Sequence, residues 1–265
     1  MIEEIQVYQL VVPVLALVTL AFAVWTLQLS KQTRLFGLAI VAMSGSFTLG
    51  YALMANGILV VEVDGELSFI GRFIGYLFAF TILYPILWAV SGASLRWLVV
   101  LLVGNFTWIS SVILSWTMAE PIASIASIVN LVTFVVMVSV LLWPVAQATH
   151  GVSGERRLLY GKLKNILVLI LVLYVVNGII TASGVGILDT FTGVFIGVYT
   201  DLVLLVGFSV IFLRSEEALS QVAEEIDRRG GDDDTGGSGV EVEPDEDGAD
   251  RGGVSIGEAN PDPAD

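Results

Sequence analysis

The chain has no cysteine, one histidine and three lysines among 265 residues. Without cysteine there is no disulfide framework, no thiolate nucleophile and no thiolate metal site. His150 stands alone in a loop, with no cluster of acids or cysteines beside it, so it is not read as a metal ligand. No serine-hydrolase, zinc-protease or phosphate-loop motif is present. Charge is scarce over most of the length. Residues 1–215 carry nine acids and nine bases, whereas residues 216–265 carry seventeen acids and three bases. The net charge of −14 therefore belongs to the C-terminal stretch. The first residues, MIEEIQVYQL, are acidic and lead into an apolar run, unlike the basic flank and cleavage site of a signal peptide.

Apolar length is abundant. Hydrophobic residues make up 55% of the chain and the mean hydropathy is +0.85, values of a multi-span membrane protein. Seven stretches are each long enough for about 20 residues of spanning helix: 7–29, 35–60, 69–91, 95–117, 121–147, 160–182 and 189–213. Short connections separate them, the longest being THGVSGERR. Lys31, Arg34, Arg96, Arg156, Arg157, Lys162, Lys164 and Arg214 fall at one set of loop ends. Glu3, Glu4, Glu62, Asp64, Glu66, Glu120 and Asp189 fall at the other. The positive-inside bias predicts a multi-pass protein of the plasma membrane, with the N-terminus outside and the C-terminus in the cytoplasm.

Residues 1–215 are thus expected to form a transmembrane domain, and residues 216–230 a cytoplasmic helix extension. Residues 231–265, rich in Gly, Asp and Glu, are expected to be a disordered acidic tail. Such a tail reads first as a solvating feature of a halophile, and otherwise as a dock for a basic partner. An acidic tail also argues against nucleic acid as a partner.

Two charges lie inside the spans. Asp201 is midway along the seventh and Arg72 is near the outer end of the third. A charge at the centre of a membrane helix costs roughly 2.5–3.5 kcal/mol on insertion scales. A buried pair of Arg72 with Asp201 is one solution. The other is a snorkelling arginine, with the aspartate protonated or bonded to hydroxyls. Asn105, Asn177, Tyr199 and Thr200 are read with them as interior polar groups, alongside Ser44, Ser46, Thr48, Tyr51, Thr107, Ser110, Ser111 and Tyr174. For each of these, interhelical hydrogen bonding is the plainer role.

Seven spans, an outside N-terminus, an arginine in the third span and an aspartate in the seventh resemble the microbial rhodopsins, most nearly the bacteriorhodopsin-like haloarchaeal branch. The seventh span carries Asp201, then Gly207, Phe208 and Leu213–Ser215; the sixth opens LKN and carries Tyr174; the third has Arg72, Tyr76, Leu77 and Phe78. The resemblance covers residues 1–215. It implies an all-α membrane protein, a seven-transmembrane helix bundle of rhodopsin-like fold.

The same resemblance implies what is missing. The retinal-binding lysine would stand at position 205, and Leu205 stands there. The chain's lysines are Lys31, Lys162 and Lys164, all at helix ends. A Schiff base needs an amine, and leucine has none. The proton-acceptor and donor positions correspond to Gly75 and Ile86, and the release carboxylates to Ser183 and Gly193. The tryptophans around the chromophore correspond to Tyr76, Leu171 and Gly178. Tyr76, Tyr174 and Leu205 would therefore line what remains of the cofactor site. The expectation is a non-enzymatic, non-pumping opsin relative without covalent retinal. It would bind or regulate a membrane partner, a second copy of itself or an apolar ligand in the lipid bilayer. The alternative is a photoreceptor or ion transporter that holds retinal or a carotenoid non-covalently.

Overall fold

The computed structural model describes residues 4–63, 66–181 and 185–234. The chain divides into a unit of residues 1–227 and a unit of residues 228–265. The stretch 235–265, which holds most of the expected acidic tail, lies outside the described residues, as does Ser183.

Helices dominate. Helix α1 spans Glu4–Gln28, α2 Arg34–Ala55, α3 Gly71–Ser91, α4 Leu95–Thr117 and α5 Ile122–Leu142. A short α6, Pro144–Ala148, follows, then a 3₁₀ turn at Thr149–Gly151 and helix α7, Gly154–Ile180. The last span is α8, Thr190–Val203, a π-turn at Leu204–Phe208 and α9, Ser209–Leu213. Helix α10 covers Glu216–Asp234. Among the described residues seven helical segments are long and apolar enough to cross a membrane, and their outward-facing sides are apolar, as at Leu17, Phe106, Ile128 and Leu169. Such segments satisfy every backbone group internally, which a bilayer requires.

Local chemistry sets the ends. Gly92 takes φ +68°, the left-handed conformation that closes α3 without a Cβ penalty. Ser153 accepts from the Arg156 backbone N–H at the start of α7, and Asp189 accepts from that of Thr192, 2.7 Å away, at the start of α8. That bond holds the Asp189 carboxyl below its usual range.

One expectation on length fails. The second span is expected to reach residue 60, but α2 stops at Ala55. The backbone turns through Gly57 and Leu59, both at positive φ. It then forms an antiparallel hairpin of β1, Val60–Val63, with β2, Glu66–Phe69, in which Val63 pairs with Glu66. The apolar Ile58–Val61 run imitates a helix end. The Asp-Gly pair in the sequence between the strands is the turn signal that outweighs it.

Helices α2 and α3 meet backbone to backbone. A Cβ added at Gly50 would stand 3.0 Å from the Gly71 carbonyl oxygen, and one at Gly75 would stand 2.9 Å from that of Ser46. Small residues one turn apart on both helices permit this approach. The core between the helices includes a group of large aromatic side chains: Tyr51, Phe47, Phe80, Tyr84 and Phe208 are all buried.

Candidate functional site

Four helices converge on one carboxylate. Asp201 of α8 is 1% exposed. Tyr51 of α2 donates to its Oδ2 at 2.5 Å, and Tyr174 of α7 donates to its Oδ1 at 2.6 Å. Tyr76 of α3 lies 2.7 and 2.8 Å from the two oxygens. Three phenols thus surround both oxygens of a buried acid, which is how such a group is tolerated away from water. The rings brace one another. Tyr76 and Tyr174 have centroids 5.1 Å apart, and Phe47, Phe73 and Phe80 meet Tyr76 at 5.6–6.2 Å. Trp108 of α4 closes the group against Phe80 and Tyr174.

Just beyond Asp201 the helix widens into the π-turn at Leu204–Phe208, a feature frequent at functional positions. Leu204, Leu205 and Phe208 are fully buried there. Leu205 therefore lies inside the bundle, one turn from the caged acid, and offers it only hydrocarbon.

Arg72 is not in salt-bridge contact with Asp201. Among the described residues the ion pair found is Arg156 with Glu225. Of the two solutions open from the sequence, a direct pair is therefore not formed, and the aspartate is instead bonded to hydroxyls. The two charges remain within electrostatic range of each other, and both act on Tyr51 and Tyr76. The guanidinium lies 5.9 Å from the Phe73 ring and 6.0 Å from the Tyr76 ring. Gly197 gives it room, since a Cβ there would fall 2.5 Å from Nη1. Its buried Nε has no hydrogen-bond partner among the described residues.

The other polar residues separate. Asn105 is buried and donates to the Leu77 carbonyl and to Thr81 Oγ1 of α3, at 3.2 and 3.3 Å. Asn177 donates to the Gly193 carbonyl at 3.2 Å, tying α7 to α8. Thr200 is buried but turns back on its own helix, donating to the Ile196 carbonyl. Tyr199 is a correction. Expected inside, it is 65% exposed and faces outward. At about 100° per residue, a position two before Asp201 lies on the opposite side of the helix.

Tyr51 was legible only as one hydroxyl among many, although it supplies a third of the cage. Its one distinguishing signal is that phenols inside apolar spans seek a buried acceptor.

Residues 3–219 match the family described as bacteriorhodopsin-like protein. The chain is 28% identical over 195 residues to sensory rhodopsin-2 of Haloarcula vallismortis, covering 73% of this chain and 83% of that one. It is 26% identical over 202 residues to sensory rhodopsin-2 of Natronomonas pharaonis, covering 76% and 84%. In fold it is similar to the thermophilic rhodopsin of Rubrobacter xylanophilus, with TM-score 0.75 at 20% identity, covering 84% of this chain and all of that one. Cyanorhodopsin from Calothrix sp. NIES-2098 gives TM-score 0.78 at 18% identity, with the same coverage. The chain belongs to the bacteriorhodopsin-like family and is a rhodopsin-like, seven-helix membrane protein.

Proposed function

We propose that this chain is a retinal-free member of its family that neither pumps ions nor catalyses a reaction, and that it acts by binding a partner within the membrane. The observation that carries the reading is the cage at Asp201. The carboxylate that would face a Schiff base is bonded by Tyr51, Tyr76 and Tyr174, and Leu205 beside it has no amine. The residues present do not fit a covalently held retinal. Tyr76 and Tyr174 stand against each other, with ring centroids 5.1 Å apart. A proton path needs ionisable groups in relay. Beyond Asp201 the corresponding positions hold Gly75, Ile86 and Gly193.

Binding is favoured by the outer surface of the last span. Tyr199 sits near the middle of the helix with Phe195 and Val206, all facing out. A phenol turned to hydrocarbon at that depth leaves a hydroxyl that a partner helix in the membrane would satisfy. Similarity to proteins named as sensory rhodopsins also favours reporting over pumping. In this reading the basic end of the bundle faces the cytoplasm.

Absorption spectra of the purified protein with and without added all-trans retinal test the proposal, beside Leu205→Lys and Leu205→Lys/Tyr76→Trp variants. The native protein is expected to stay colourless, and colour is expected first in the double variant. A visible band in the native protein would establish a non-covalent chromophore and overturn the reading.

A further inference from the structure

At the basic end of the bundle, residues 216–227 of α10 are fastened to the start of α7 through Ser153 and Arg156. Ala218, Leu219, Val222 and Ala223 are all buried, the i, i+1, i+4, i+5 pattern of an apolar stripe on a helix. Glu216, Glu217 and Glu224 face out. The polar fastening is specific. Arg156, at the start of α7, is 6% exposed. Its Nη2 donates to the Ala89 carbonyl at 2.7 Å and its Nε to the Val90 carbonyl at 3.2 Å. These are among the last carbonyls of α3, where a cation is favoured by the helix dipole. Its Nη1 pairs with Glu225, and Ser153 bonds Gln221. One guanidinium therefore joins three helices, and α10 supplies its counter-charge.

We propose that residues 216–227 form a releasable strap, which when closed clamps α3 to α7 and when lifted exposes Arg156 and the apolar seam beneath it to a cytoplasmic partner. The strap stands on its own contacts, and only its use rests on the reading of the chain as a binding protein. Two of its four buried anchors are alanines, so the closed state depends heavily on Leu219, Val222 and the Arg156–Glu225 pair. The body beneath presents bases at Arg157, Lys162, Lys164 and Arg214, whereas the strap is acidic. The vacated surface would accordingly take an amphipathic helix with acidic residues beside an apolar stripe.

The absence of native cysteine makes the test direct. In lipid nanodiscs, Val90→Cys probes a buried position whose carbonyl accepts from Arg156, and Ala79→Cys a buried position farther along the same helix. Labelling by a charged maleimide is followed in each, in the full chain, with Glu225→Gln, and in a chain ending at Ser215. Labelling at position 90 is expected to be slow in the full chain and to rise roughly tenfold or more with Glu225→Gln, as for loss of one charge-assisted bond. It should be fastest in the shortened chain, while position 79 stays protected throughout. Equal labelling at position 90 in all three overturns the strap. Exposure of position 79 together with 90 also overturns it, because α10 would then be a part of the fold that cannot be released. The outcome is independent of whether retinal binds.

Discussion

Asp201 shows how one residue can dictate its surroundings. A carboxylate midway through a membrane helix needs donors, and three helices each contribute a tyrosine. Asp201→Asn removes the acceptor charge and presents an amide hydrogen toward donors. It also leaves Arg72 without the negative charge nearest to it. The expected loss is about 3 kcal/mol or more, because three hydrogen bonds to a charged group are weakened together, measured by thermal denaturation in detergent. Tyr76→Phe should be milder, about 1–3 kcal/mol, because it removes one hydrogen bond to a charged group and keeps the ring packing. If both variants melt with the native protein, the cage contributes nothing to stability. Asp201 and Arg72 were legible in the sequence because charge is conspicuous in an apolar span. Their relation was not, because a hydroxyl that bonds a carboxylate looks in sequence like one that bonds its own helix. Tyr51 and Thr200 differ in that respect, and only geometry separates them.

Among elements, the spans were the easiest to foresee, since a bilayer demands length and apolarity whatever the tertiary contacts. The fourth span, 95–117, agrees with α4 to the residue. The hairpin at Val60–Phe69 was hidden by an apolar run that serves helix and strand equally. The strap was half legible: its helix was expected, but its fold back onto the body depends on Arg156, sixty-nine residues away from Glu225. Leu219→Ala should weaken strap closure by about 2–3 kcal/mol. Faster amide exchange in residues 216–227, with α4 and α5 unchanged, is the expected signature. At the other end of the bundle, Asp189 caps α8 in its ionised form. Its carboxyl titrates lower in the folded state than in the unfolded chain. The cap's contribution is thus fully present above the ordinary aspartate value of about 3.9 and fades as pH falls through the lower, folded value. Asp189→Ala should remove that part of the acid sensitivity, seen as a flatter melting profile at low pH.

For the whole molecule, the charge asymmetry of the sequence predicts a division of labour. Residues 235–265 hold too little apolar side chain to build a core. A chain ending at Asp234 should melt at the native temperature, and a clear drop would assign that stretch a structural role. The fold itself was readable because seven spans with this charge pattern admit few arrangements, whereas the site was readable only position by position. One contact links the two. Gly75, the position the resemblance assigns to a pump's proton acceptor, meets the Ser46 carbonyl with no space for a side chain. A carboxylate introduced there would have to force α2 away before it could accept anything. Any side chain at position 75 therefore costs the close approach of α2 and α3 before a new group can act there. The packing of α2 on α3 works as a lock on the residue type at that position.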